Sequence, residues 1–242
     1  RPGIFHKVRR IKDQFELDSL RRGGKVIDEL YRIIEKEVKF GMSERVIASR
    51  LLSAGVERGC DPPSFQATIS PIIVASGPNS AHPHIDLTDR KIKNGDSLII
   101  DITMRRNGYV ADATRTFIIG RTSSEIRKAY EIVKDAQELG VGIVKEGISG
   151  GEIDFGVRNM IRKRGYVKYF THGTGHGVGL EVHEPPWLRT KSRDILNMGE
   201  VVTVEPGIYI PGKFGIRIED TVIVLNNPET LTHFTKELTV IG

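Results

Sequence analysis

Ser97-Leu98-Ile99-Ile100-Asp101-Ile102-Thr103-Met104-Arg105-Arg106-Asn107-Gly108-Tyr109-Val110-Ala111-Asp112-Ala113-Thr114-Arg115-Thr116-Phe117-Ile118-Ile119 sets two β-forming runs on either side of an Asn-Gly pair. Asn-Gly is the strongest short hairpin signal, because both residues tolerate the positive φ of a two-residue turn. Strands are expected at Ser97–Met104 and Tyr109–Ile119. In that register Asp101 faces Thr114 and Asp112 faces Thr103, so both carboxylates lie on one face as diagonal neighbours. Their backbones are then roughly 7–8 Å apart, close enough to share a centre. Asp101 ends an apolar run, and a buried carboxylate beside a second anion needs a cation. The plainer alternative pairs Asp112 with Arg115 and makes Asp101 a strand terminus.

Outward from the hairpin, the same order of elements occurs twice. Upstream, Leu17–Lys39 carries Ile27, Leu30, Ile34 and Val38 at helical spacing, and Ser43 to about Ala54 reads as a second helix that stops before Gly55. Phe65–Ala75 is rich in β-branched residues. Downstream, helices are expected at about Ser124–Glu146 and from Ser149, with its capping-box Glu152, to about Arg164. Strand-like stretches follow at Tyr169–His183, Glu200–Tyr209 and Gly215–Val224. Two helices then strands, twice over, predict an α+β domain of two similar halves around one central sheet.

Composition narrows the function. The chain has 242 residues, of which 38% are hydrophobic and 28% charged, which suits a globular protein and not a disordered one. The net charge of +5 sits in residues 1–50, interleaved with acids, without the clustered cations and aromatics of a nucleic-acid surface. No apolar run reaches the ~18 residues of a membrane span. The single cysteine, Cys60, and a start without a signal-peptide core lead to the expectation of a cytoplasmic protein that binds neither nucleic acid nor membrane.

Two further stretches carry acids and histidines in unusual settings. His172-Gly173-Thr174-Gly175-His176-Gly177-Val178-Gly179-Leu180-Glu181-Val182-His183-Glu184 fails the dinucleotide spacing at Val178, and Pro185 ends any H-E-x-x-H helix. Three histidines among glycines fit a strand lining a cleft. Val204-Glu205-Pro206 and Gly215-Ile216-Arg217-Ile218-Glu219-Asp220 carry acids in an apolar frame, and a loop centred on Gly212 places Glu205 opposite Glu219. Asp101, Asp112, Glu205 and Glu219 with one neutral histidine balance two divalent cations. Such an oxygen-rich set suits Mn²⁺ or Co²⁺, with Zn²⁺ or Fe²⁺ as alternatives, and two metals so held are machinery for hydrolysis.

These motifs resemble the pita-bread metallopeptidases, which comprise methionine aminopeptidase, aminopeptidase P, prolidase and the metal-free creatinase. The resemblance covers about residues 8–242 and implies the pita-bread fold: two pseudo-symmetric halves of paired helices around a curved, mainly antiparallel sheet. It implies Asp101, Asp112, His176, Glu205 and Glu219 as ligands of two metals. Gly175–Glu184 and Glu205-Pro206-Gly207-Ile208-Tyr209 resemble the proline-specific branch, the prolidases (Xaa-Pro dipeptidases) and aminopeptidases P. Methionine aminopeptidases usually have Arg where Leu180 stands. In that branch Glu205 would shuttle a proton, His183 steady the tetrahedral intermediate, and His84 lie on the leaving-group side. Arg217 would lie beside the substrate or the ligand carboxylates and His172 near the substrate, a small peptide with proline second. Methionine aminopeptidase activity and a non-catalytic pita-bread binding module are the rival readings. Relatives carry an N-terminal domain ahead of the catalytic one, so residues 1–242 are expected to be a single catalytic domain without it, with a homodimer left open.

Overall fold

A computed structural model describes residues 3–63 and 70–242. The chain opens with α1 (Gly3–Arg10), α2 (Gln14–Glu37) and α3 (Glu44–Glu57), followed by β1 (Ile72–Ser76), β2 (Ser97–Arg106) and β3 (Tyr109–Ile119). The second half repeats the pattern with α4 (Ser124–Ile143), α5 (Gly150–Lys163), β4 (Gly175–Gly177), β5 (Glu184–Leu188), β6 (Val201–Val204), β7 (Gly207–Ile210), β8 (Phe214–Arg217) and β9 (Asp220–Ile223). Two short strands, β10 (Glu229–Thr230) and β11 (Thr239–Ile241), end the chain.

The hairpin forms in the expected register: Asp101 pairs with Thr114 and Thr103 with Asp112, around Asn107 and Gly108 at φ 52° and 86°. The strands do not make one continuous sheet. They form ladders ordered β1-β2-β3-β11, β10-β9-β6-β4-β5 and β7-β8, and an antiparallel bridge between Thr114 and Glu219 ties β3 to the β8–β9 junction. Ile27, Leu30 and Ile34 of α2 pack with Ile47 and Leu51 of α3 against Ile100, Ile102 and Phe117. In the other half Tyr130, Val133, Val157 and Ile161 of α4 and α5 cover Ile208 and Ile216. The duplicated order thus gives each half its own helix pair and core.

Several boundaries differ for identifiable reasons. Asp13 and Glu16 form a capping box that starts α2 at Gln14, and α3 runs through Gly55, whose missing side chain admits Met104. Residues 65–69 of the expected Phe65–Ala75 strand lie outside the described residues, and β1 occupies Ile72–Ser76. Of Tyr169–His183 only Gly175–Gly177 is strand. Arg158 donates to the carbonyls of Phe170 and His172 at 3.0 and 2.7 Å, so a guanidinium takes acceptors that a partner strand would need. The Glu200–Tyr209 and Gly215–Val224 strands each break in the middle, at Glu205-Pro206 and Ile218-Glu219. Pro206 has no N–H to give the ladder. No helix among the described residues is long and apolar enough to cross a membrane.

Candidate metal centre

The strand breaks make the site. The register that pairs Val204 with Asp220 and Gly207 with Arg217 runs on both sides of Glu205 and Glu219, so these two face one another across the gap. Freed from the ladder, the Glu205 N–H donates to Thr174 O at 2.8 Å and the Glu219 N–H to Thr114 O at 3.0 Å. Glu205 is thereby turned toward β4 and Glu219 toward the hairpin. Both side chains, with Asp101, Asp112 and His176, line one cavity of about 230 Å³.

Within it, Asp112, His176 and Glu219 are buried and offer one ligand atom each, all within 4.8 Å of one another. The other two expected ligands lie on the same cavity wall but hold other partners. Asp101 Oδ2 accepts from Arg217 Nη2 at 2.6 Å, and Glu205 Oε1 lies 3.2 Å from His176 Nε2. The ring of His176 is aimed through its other nitrogen, which lies 3.1 Å from Gly177 O. A proton held there leaves Nε2 with a free lone pair for the cavity.

Gly175 permits this placement of β4, since a Cβ at that position would overlap the Thr203 carbonyl oxygen of β6. Gly175→Ala is expected to push His176 away and weaken metal binding at least tenfold, the scale of losses from misoriented ligands. Calorimetric titration with Mn²⁺ would measure it, and unchanged affinity would show that β4 tolerates the shift.

Threonines two residues from three of the acids complete the site: Thr103 Oγ1 donates to Asp112 at 3.0 Å, Thr114 Oγ1 to Glu219 at 2.7 Å, and Thr203 Oγ1 to Glu205 at 3.3 Å. The hairpin register already sets Thr103 and Thr114 on the face of the two aspartates, without a role for either, and the same alternation in Thr203-x-Glu205 puts Thr203, which the sequence reading leaves out, on the face of its acid. The alternative pairing of Asp112 with Arg115 does not occur. Three residues apart on a strand they point to opposite faces, and Arg115 instead binds Asp220 at 2.7 Å on the buried side.

His84, His172, His183 and Arg217 also line the cavity. The His183 ring lies against that of His176, centroids 4.3 Å apart and planes tilted by 57°. His172 Nε2 lies 2.8 Å from the Tyr209 hydroxyl, which accepts from Arg217 at 3.0 Å. Arg217 also donates to Pro83 O at 3.1 Å, tying the loop that carries His84. Tyr209 is therefore a member of the site that went unassigned in the sequence.

Electrostatics favour a cation. Burial, then Asp101, pushes the Asp112 carboxyl well above the carboxylate range. Burial, then Asp112, does the same to Glu219. Burial opposes charge on Glu205 too, but the hydrogen bond and charge of His176 outweigh it and hold that carboxyl at about 2. The same contact outweighs the burial of His176 and raises its imidazolium. The ring of His183 opens onto the cavity, yet the protein around it and His176 push its imidazolium down to about 4.

The pH dependence of stability follows. Above about pH 6.5 unfolded histidines and carboxylates have lost their protons. Folded, metal-free Asp112, Glu219 and His176 are all shifted up from their ordinary values, so the native state releases those protons later than the unfolded chain does. Its stability falls as pH rises. Metal needs these groups deprotonated, so loading strengthens with pH. Melting curves between pH 7 and 8.5 are expected to drop for metal-free protein and to stay level or rise with Mn²⁺. Parallel trends in both would contradict the assignment.

Residues 18–226 match metallopeptidase family M24. A prolidase from Thermococcus sibiricus superposes with a TM-score of 0.93 at 41% identity, over 99% of this chain and 64% of that one. An X-Pro aminopeptidase from Thermotoga maritima gives 0.92 at 35%, over 98% and 65%. The Xaa-Pro dipeptidase of Pyrococcus furiosus is 36% identical over 236 residues, 97% of this chain and 66% of the relative. The chain spans just under two thirds of the length of these relatives. Four carboxylates with one imidazole suit the divalent metal ions that such a family implies. Its two helix pairs packed on mainly antiparallel ladders are the pita-bread fold, and the chain belongs to metallopeptidase family M24.

Proposed function

We propose that residues 1–242 act as one catalytic unit, a peptidase dependent on two divalent metals that hydrolyses the Xaa–Pro bond at the N-terminus of short peptides. The observation that carries this reading is the convergence of five side chains of metal-ligating type, two of them carboxyls held above their usual range, in a cavity lined also by histidines and Arg217. Prolidase and X-Pro aminopeptidase neighbours point to proline as the second residue.

Asp101, Asp112, His176, Glu205 and Glu219 would hold the metals, Mn²⁺ or Co²⁺ first and Zn²⁺ or Fe²⁺ as alternatives. Cations held there supply a polarised carbonyl and an acidified water. Glu205 takes the proton of the attacking water and delivers it to the proline nitrogen as the C–N bond breaks, so one water is consumed and both products are neutral overall. His183, uncharged at neutral pH, donates a hydrogen bond to the developing oxyanion. His84 stands on the leaving-group side, and Arg217, which holds the Pro83 carbonyl next to it, orients the substrate together with His172. A tertiary Xaa–Pro amide carries no N–H, so a protonating group at the leaving nitrogen matters more than recognition of the amide.

Release of proline from Met-Pro, measured beside cleavage of Met-Pro-Ala-Ala and Met-Ala-Ala with Mn²⁺ or Co²⁺, tests the reading. Cleavage of Met-Pro alone is expected of a prolidase-type dipeptidase, and cleavage of the longer proline peptide of an aminopeptidase P. Removal of Met from Met-Ala-Ala alone would overturn the proline assignment.

A further inference from the structure

His183 is held in an unusual way. Among the described residues nothing hydrogen-bonds its ring, and its neighbour is the ring of His176. Its direction must therefore come from the backbone of the β4–β5 turn. That turn is closed by the next residue, Glu184, whose backbone pairs with Gly177 beside the candidate ligand His176.

The Glu184 side chain is 2% exposed and carries two cations from the start of the chain. Lys12 Nζ, on a side chain with no exposure at all, donates to Oε1 at 2.9 Å, and Arg9 Nη2 donates to Oε2 at 2.8 Å. Arg9 also reaches Glu181 at 3.1 Å, on the same turn. Gly179 leaves room for the pair, since a Cβ there would stand 2.8 Å from Glu184 Oε1 and 3.0 Å from Lys12 Cε. Lys12 is fixed in turn, its N–H bonded to Gly199 O at 3.0 Å and its ammonium to Arg10 O at 3.1 Å.

We infer that Arg9 and Lys12, acting through Glu184, are positioning residues that aim His183 into the cavity. A buried lysine with a buried carboxylate is poor value as a stabilising device, because both ions are stripped of water. Its use is directional: it locks the turn to the segment between α1 and α2. The inference rests on the reading of His183 as the oxyanion donor.

The test separates aiming from mere stability. Lys12→Met leaves the Glu184 charge short of a partner and is expected to lower both the melting temperature and kcat. The double variant Lys12→Met/Glu184→Gln removes the stranded charge, so its melting temperature should return toward that of the parent chain. Its kcat on Met-Pro should nonetheless stay about ten- to hundredfold down, with KM changed less than about threefold and metal content unchanged, as expected for a misplaced catalytic group. Recovery of kcat together with stability would overturn the inference. A second readout needs no turnover: the His183 imidazole NMR signal of the Zn²⁺-loaded protein, assigned with His183→Gln. It should move in the double variant, and an unmoved signal would overturn the inference even if the parent chain proves inactive on Met-Pro, an outcome that would instead count against the proposed function.

Discussion

Glu205→Gln is expected to lower turnover of Met-Pro by about 10²–10⁴-fold, the range for loss of a general acid–base group. The side chain is 18% exposed, so it meets both cavity and protein. Its backbone is pinned to Thr174 O at 2.8 Å, and the substitution keeps the volume. An amide can still accept from Thr203 Oγ1, but it cannot take up a proton and hand it to a proline nitrogen. Circular dichroism melts should therefore change little while kcat collapses. Activity within tenfold of the parent chain would remove Glu205 from the proton path.

The largest stability loss is expected from Arg115→Met. The Arg115 side chain is 2% exposed and donates to Asp220 at 2.7 Å and to the carbonyls of Glu219, Phe234 and Thr114 at 2.6, 2.8 and 3.0 Å. It thus ties β3, the Glu219 junction and the C-terminal segment together from behind the metal ligands. Burial alone would raise Asp220, but Arg115 and then Lys236 outweigh it and hold the carboxyl at about 2. Removing the guanidinium leaves that charge with Lys236 at 3.1 Å and strands several carbonyls. Breaking such a buried pair costs about 3–5 kcal/mol, roughly a 10 °C drop in Tm for a chain of this length. Arg115→Met/Asp220→Asn should regain part of it. A drop under about 2 °C would show that the network is dispensable.

What the sequence disclosed divides along physical lines. The hairpin's register was legible to the residue, because Asn107-Gly108 admits one turn and the turn sets every pair after it, although the first strand runs on to Arg106 and not only to Met104. The facing of Glu205 and Glu219 was legible from Gly212 for the same reason. Their escape from the ladder was only half legible: Pro206 signals the break, but the acceptors Thr174 O and Thr114 O come from segments distant in sequence. Tyr169–His183 misled because its β-like composition says nothing of Arg158, whose guanidinium occupies the carbonyls. β5, with two prolines, and β11, parallel to β3 across more than a hundred intervening residues, carry no local signal strong enough to find. The threonines beside the acids were within reach, since strand alternation alone puts them there, and the same alternation excludes Arg115 as a partner of Asp112.

The most direct test is the metal content of the chain after loading with Mn²⁺ and desalting, measured by elemental analysis beside Asp112→Asn/Glu219→Gln. Two Mn²⁺ per chain, falling below one in the double variant, is the predicted result. A parent chain that retains no metal, or a double variant that retains two, would contradict the assignment of these side chains to a dinuclear centre.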